Sequence, residues 1–159
     1  MVYHYAHNVD EKSAKAVGIA LPVSTKQAVE ICRFIRGKNV EKAVKELKEV
    51  IDEKRAIPFR RYNRGGIGHR PGIGPGRYPK KACGEILKVV NSAASNAKSK
   101  GLSSLIIRFI TPQKAATQWH YGRKRRRQAK RTHIEVIVSE EKEKVPGKKE
   151  KPGAKETKK

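Results

Sequence analysis

Residues 122–131 read Gly-Arg-Lys-Arg-Arg-Arg-Gln-Ala-Lys-Arg, seven cations with no acid among them. Guanidinium and ammonium groups at this density bind phosphate. Close like charges destabilise helices and sheets alike, so the run needs a polyanion to lie against. It belongs to a longer acid-free block, residues 105–133, that carries Arg108, Lys114, Arg123, Lys124, Arg125, Arg126, Arg127, Lys130 and Arg131. A second acid-free block, residues 55–80, carries Arg55, Arg60, Arg61, Arg64, Arg70, Arg77 and Lys80. Sixteen of the net +23 charges fall in these two blocks, and the rest of the chain carries a milder excess, 22 cations against 15 acids. Charge localised in this way is the footprint of a nucleic-acid binder rather than of a generally soluble surface.

The second block also holds Gly65, Gly66, Gly68, Gly72, Gly74 and Gly76. A nucleotide P-loop would need a preceding strand and a closing Gly-Lys-Ser/Thr, and a dinucleotide fold would need its glycines between strand and helix. Here a helical pattern precedes the glycines and no Lys-Ser/Thr follows. Glycines that admit close approach, leading into a helix start near Pro79-Lys80, suit phosphate oxygens instead. With Arg60, Arg61, Arg64, Arg70 and Arg77 interleaved with the stackable Tyr62, His69 and Tyr78, the reading is a clamp on folded RNA backbone, against the plainer one of a flexible loop. Trp119, His120 and Tyr121, just before the arginine run, either stack on bases or close a small cluster between strands.

Other chemistry is poorly supplied. The acids gather on one helix and in the C-terminal tail, and the histidines are scattered, so no Ser/His/Asp or Cys/His set and no metal site can be nominated. His4 and His7 would need a third ligand from elsewhere, and a plain surface tail is the simpler expectation. Cys32 and Cys83 each sit in an apolar helical pattern without a second cysteine nearby, as buried inert thiols do. A nuclear-localisation run would be exposed and flexible, whereas this one is bracketed by strand-like segments. No stretch approaches the roughly 20 apolar residues that span a bilayer, and the N-terminus lacks a signal-peptide pattern, so a cytoplasmic protein is expected.

These groups must be carried by a body of about 100 residues. Residues 14–21 alternate loosely as a strand with small residues on one face. Ser24 with Gln27 forms a capping box for a helix in which Ala28, Ile31, Cys32 and Ile35 repeat, ending at Gly37. A second helix follows Asn39, with an apolar stripe of Val40, Ala43, Val44, Leu47, Val50 and Ile51 and a solvated face that includes Glu46. Across residues 56–79 both periods vanish. A third helix, from about Lys80 to Gly101, carries Ala82, Cys83, Ile86, Leu87, Val90, Ala93, Ala94 and Ala97. Residues 105–110 and 134–138 are β-branched strands flanking the arm, with Pro112 marking irregular pairing. The expected class is α+β: three helices packed on one face of a small, mostly antiparallel three-stranded sheet, with a long basic β-hairpin extension at 105–138. Residues 1–13 and 140–159 are expected to be tails, the latter disordered and rich in Lys and Glu.

Several segments resemble a known family. Val-Ser-Thr-Lys-Gln-Ala at 23–28, Ile-Arg-Gly-Lys at 35–38 and residues 40–47 are similar to the opening helices of universal large-subunit ribosomal protein twenty-two, called seventeen in eukaryotic naming. Ile-Pro-Phe-Arg-Arg-Tyr at 57–62, Gly68-His69 and Gly-Arg-Tyr-Pro at 76–79 resemble the internal loop of its archaeal and eukaryotic branch. Asn-Ser-Ala-Ala-Ser-Asn-Ala at 91–97 resembles its third-helix signature, and residues 133–138 its closing strand, so the likeness covers about residues 14–139. The arm departs from the family's usual Pro-Arg-Ala-x-Gly-Arg segment, reading Arg123 to Lys130 as above.

The resemblance implies a structural rRNA-binding constituent of the large subunit that stabilises the rRNA fold during assembly and reaches the nascent-peptide exit tunnel. The RNA-binding set then extends to Arg36, Lys38, Asn91 and Asn96, and the tunnel-facing tip comprises Trp119, His120, Tyr121, Gly122 and Arg123. The implied partners are rRNA, neighbouring ribosomal proteins and the nascent polypeptide, with no cofactor, membrane or small-molecule substrate. Two rivals remain at this stage. One is an architectural nucleic-acid binder such as a chromosome-compacting protein, and the other a nucleotide-dependent RNA-modifying enzyme, which has the charge but lacks the site.

Overall fold

The structure, a computed structural model, describes residues 3–7 and 12–140. In chain order the elements are strand β1 (Ser13–Leu21), helices α1 (Thr25–Ile35) and α2 (Val40–Ile51), and short strands β2 (Ile57–Pro58), β3 (His69–Arg70) and β4 (Gly74–Arg77). Helix α3 (Lys80–Ser99) follows, then β5 (Leu105–Lys114), β6 (Gln118–Trp119), β7 (Gln128–Ala129) and β8 (Thr132–Glu140). The expected α+β class holds. Strands β1, β8 and β5 form one sheet in that order, antiparallel throughout. The tail expected beyond Glu140 lies outside the described residues.

The helical stripes read from the sequence are the core. Ile31 and Ile35 of α1, Ala43, Leu47 and Val50 of α2, and Ile86, Val90, Ala93 and Ala97 of α3 are fully buried, together with Ile107, Ile110, Ile134, Val136 and Val138 of the sheet. Alternation along β8 directs Ile134, Val136 and Val138 to the helical side. Cys32 and Cys83 are buried free thiols whose pKa burial pushes up to about 12, so both stay protonated and inert. Residues 37–39 close the outer edge of β5, where Gly37 N–H donates to the Ile107 carbonyl and Ile107 N–H to that of Lys38, both at 2.9 Å.

Five local expectations need correction. Ser24 is the N-cap of α1 but its side chain caps nothing. The helix start is tied to the sheet instead, because Thr132 Oγ1 donates to the Val23 carbonyl and shares a hydrogen bond of 2.9 Å with Thr25 Oγ1. Glu46 does not lie on a solvated face. It is buried, and pairs with Lys38 and with Arg55 at 3.0 Å. Residues 3–7 are no plain surface tail. Tyr3 Oη donates to Glu135 at 2.7 Å, Ala6 N–H donates to the same carboxylate at 3.0 Å, and His7 stacks on Phe109. They cover the sheet face opposite the helices, where Glu135 and Ile137 are buried. Burial and then the bond to Glu135 push the Tyr3 phenol up to about 12, so it remains a donor at neutral pH.

The irregularity in β5 falls not at Pro112, which pairs in register with Ile134, but between Ile107 and Phe109. Pro112 is tolerated because β5 is an edge strand and its missing N–H breaks no ladder on the outer side. The glycine-rich segment is not wholly aperiodic: β4 pairs with β2 on one side and β3 on the other. Pairings of two residues are too short to leave a period in the sequence.

Helix α3 lies close over β1 because β1 offers Ala14, Ala16 and Gly18. A Cβ on Gly18 would stand 2.7 Å from both Val89 Cγ2 and Leu21 Cδ1. Gly18→Ala is therefore expected to lower the unfolding free energy by about 1–3 kcal/mol, the usual cost of overpacking a filled core. Denaturant titration should show a lower midpoint at unchanged slope.

Candidate nucleic-acid interface

Helix α1 buries one carboxylate, Glu30, among its apolar residues. Its oxygens accept the backbone N–H groups of Arg60 at 3.2 Å, Arg61 at 2.8 Å and Tyr62 at 2.7 Å. An ionised acceptor makes each of these bonds stronger than a neutral one. The chain is thus gripped by its backbone, which leaves the side chains of Arg60 and Arg61 exposed. Beyond this anchor Arg64, His69, Arg70 and Arg77 are exposed as well. The Arg70 guanidinium lies 5.1 Å from the Tyr78 ring centre and that of Arg61 5.5 Å from Tyr62, contacts that hold planar cations without neutralising them. Arg77 Nη2 donates to the Gly66 carbonyl at 3.4 Å and Lys80 pairs with Glu53 at 2.9 Å.

The arm is organised by its backbone. Beyond Lys114, Ala115 N–H donates to the Arg131 carbonyl, Gln118 and Trp119 pair with Ala129 and Gln128, and His120 N–H donates to the Arg127 carbonyl. A single 3₁₀ turn, Gly122–Lys124, reverses the chain. Arg123, Lys124, Arg125, Arg126 and Arg127 are all exposed, and among the described residues none forms an ion pair. At the bend Tyr121 is 93% and Trp119 63% exposed, so these rings project from the arm rather than packing between strands. Arg131 Nη1 donates to the Ala20 carbonyl at 3.4 Å, holding the arm's base to β1.

The remaining residues in the sequence-derived set have partners inside the protein or lie elsewhere. Arg36 Nη2 donates to the Ile110 carbonyl at 2.9 Å, and Lys38 pairs with the buried Glu46 while its Nζ sits 3.7 Å from the Phe34 ring centre. Asn96 Nδ2 donates to the Lys15 carbonyl at 2.9 Å, steadying β1. Asn91 and Lys114 are exposed, Asn91 on a cleft between α2 and α3. Sequence reasoning missed Glu30. Its only signal is that it is the sole acid in an otherwise basic helix and adjoins the apolar stripe. Among the described residues no three His, Cys, Asp or Glu side chains gather as metal ligands, and no helix is long and apolar enough to cross a membrane.

The Glu30 anchor makes a sharp expectation. Glu30→Ala should speed amide hydrogen exchange at Arg60, Arg61 and Tyr62 and destabilise the fold by at least about 1.5–3 kcal/mol, the worth of one hydrogen bond to a charged group. Exchange measured by NMR should leave the α3 amides unchanged relative to global stability.

Comparison with known proteins places this geometry in context. The family model described as ribosomal protein L22p/L17e matches residues 16–139. The chain is similar to the large ribosomal subunit protein uL22 of Archaeoglobus fulgidus, 41% identical over 146 residues that span 86% of this chain and 94% of the relative. The protein of the same name from Methanothrix thermoacetophila is 40% identical over 147 residues, 86% of this chain and 96% of its own. That of Sulfolobus acidocaldarius is 38% identical over 152 residues, 87% and 97% of the two chains.

Proposed function

The chain belongs to the ribosomal protein L22p/L17e family, and from that premise we propose that it is a non-enzymatic constituent of the large ribosomal subunit that binds rRNA and supports its fold during assembly. The observation that carries this reading is the pair of acid-free blocks, presented as exposed cations on backbones anchored to a separately packed core. Exposed arginines on an irregular loop follow a phosphate backbone and position the protein, without reading base sequence. The arm neutralises phosphates along its length, and its partners are rRNA and neighbouring ribosomal proteins within the cytoplasmic large subunit.

The finer reading is that the bend, Trp119 to Arg123, contributes to the wall of the nascent-peptide exit tunnel. Its support is the projection of Trp119 and Tyr121 beside the turn of the arm, which suits rings that stack on bases or meet a passing peptide. No bond is made or broken by this protein. Its action is placement of charge and shape.

Replacing Arg60 and Arg61 together with Ala should weaken binding of rRNA fragments and reduce the slope of log affinity against log salt by something under one unit per lost contact, about 0.7–0.9 each. An unchanged slope would mean a loop that does not touch phosphate. Deleting residues 120–128 should leave the body folded in a thermal melt, because all three helices and the whole β1-β8-β5 sheet remain. Large subunits carrying the truncated protein should show altered assembly or an altered tunnel wall by electron cryomicroscopy. Intact assembly and an intact tunnel would refute the arm's role.

A further inference from the structure

The two basic blocks meet in one cleft. Its rim carries Lys26 from the first turn of α1, Arg64 from the loop before β3, Arg77 at the end of β4, Lys81 from the first turn of α3, and Lys130 at the base of the arm. No acidic residue lines it, and none of the ion pairs among the described residues uses any of these five cations. Lys26 lies far from both acid-free blocks and Lys81 directly follows the one at 55–80, so the convergence of Lys26 and Lys130 with Arg64, Arg77 and Lys81 is a product of the fold. The first turns of α1 and α3 both contribute lining residues, and neither helix is capped by a side chain. The positive ends of the two helix dipoles add to the potential in the same space.

The floor is of a different kind. Val23, Phe59 and Ala82 are buried and apolar, the half-buried Ile67 and Tyr62 lie with them, and Ser24 and Gln27 add polar groups to the lining. Tyr62 is fixed twice, by its backbone bond of 2.7 Å to Glu30 and by cations over its ring, Lys26 at 5.8 Å and Arg61 at 5.5 Å from the centre, contacts that an incoming base would replace. The cleft measures about 390 Å³, within the range of roughly 300–1,000 Å³ usual for sites that enclose small groups. A duplex keeps its base faces stacked inside and would use the rim while leaving the apolar floor empty. An unstacked nucleotide offers both a flat π face and phosphates on either side, and single-stranded RNA is recognised by aromatic stacking of this sort.

The geometry points to this cleft as a receptor for one unpaired RNA nucleotide, its base against Tyr62 and the apolar floor and its flanking phosphates on Lys26, Arg64, Arg77, Lys81 and Lys130. The inference rests on the rRNA-binding reading and deepens it: loop and arm base grip the same segment of strand, which couples the two basic blocks through the RNA.

Ultraviolet crosslinking of purified large subunits, with crosslinked peptides and nucleotides mapped by mass spectrometry, tests it. The native protein should yield a crosslink between Tyr62 and a single nucleotide that is unpaired in the rRNA. Lys26→Ala with Lys81→Ala, both exposed positions, should abolish that crosslink while those to residues 123–127 persist. With the isolated full-length protein and a single-stranded uridine octamer as probe, the same double variant should reduce the salt slope by about 1.4, at about 0.7 per phosphate contact. A cleft that crosslinks only to paired nucleotides, or not at all while the arm crosslinks, overturns the receptor and leaves the rRNA reading standing. Silence from both cleft and arm overturns both.

Discussion

A chain of net charge +23 must fold against its own repulsion, and it does so by burying carboxylates at the joints where basic segments leave the core. Glu30 receives three consecutive N–H groups at the root of the glycine-arginine loop. Glu46 takes Lys38 and Arg55, closing both ends of α2. Glu135 holds Tyr3, Ala6 and Gln113 on the far face of the sheet. A buried charge left without partners is strongly destabilising, so each of these acids demands the segment that satisfies it. Among the described residues no buried side-chain nitrogen or oxygen lacks a hydrogen bond. Glu30 acts through the backbone alone, which leaves the Arg60 and Arg61 side chains exposed.

Around these joints the body is ordinary close packing. Helix α3 is rich in alanine on its inner face and β1 in alanine and glycine, so helix and strand approach closely, and β8 is buried from both sides. β8 is the central strand of the sheet and continues into the arm through residues 130–131, so the arm's base inherits the rigidity of the best-buried element. Exposure rises outward from there, from the fully buried Ile134 to Tyr121 at the bend. The core sets the direction of the arm, and the bend presents exposed rings and cations.

Much of this was legible in the chain. Helical periodicity located α1, α2 and α3, because a 3.6-residue apolar repeat has no other stable burial. The charge blocks located the two segments that present exposed cations, since net charge is a property of composition. Less legible were features whose partners are distant in sequence. Ser24 has the residues of a capping box, yet Thr25 and Thr132 make the joint, across 107 positions. Glu46 reads as a solvated helix residue until Arg55 and Lys38 fold over it. Residues 3–7 carry no periodicity because they bind through one carboxylate and one stacked ring, not through a repeating face.

The sequence by itself determined the class of partner, the three helices and the two basic segments, since each depends on local pattern or summed charge. Only the tertiary structure decided which acids are buried, that Lys26 and Lys81 stand beside Arg64, Arg77 and Lys130, and that an apolar floor lies beneath them. The physical reason is that burial and cleft formation are properties of surfaces from several elements brought together. A single strand or helix carries its own period, but the space between elements has no representation along the chain.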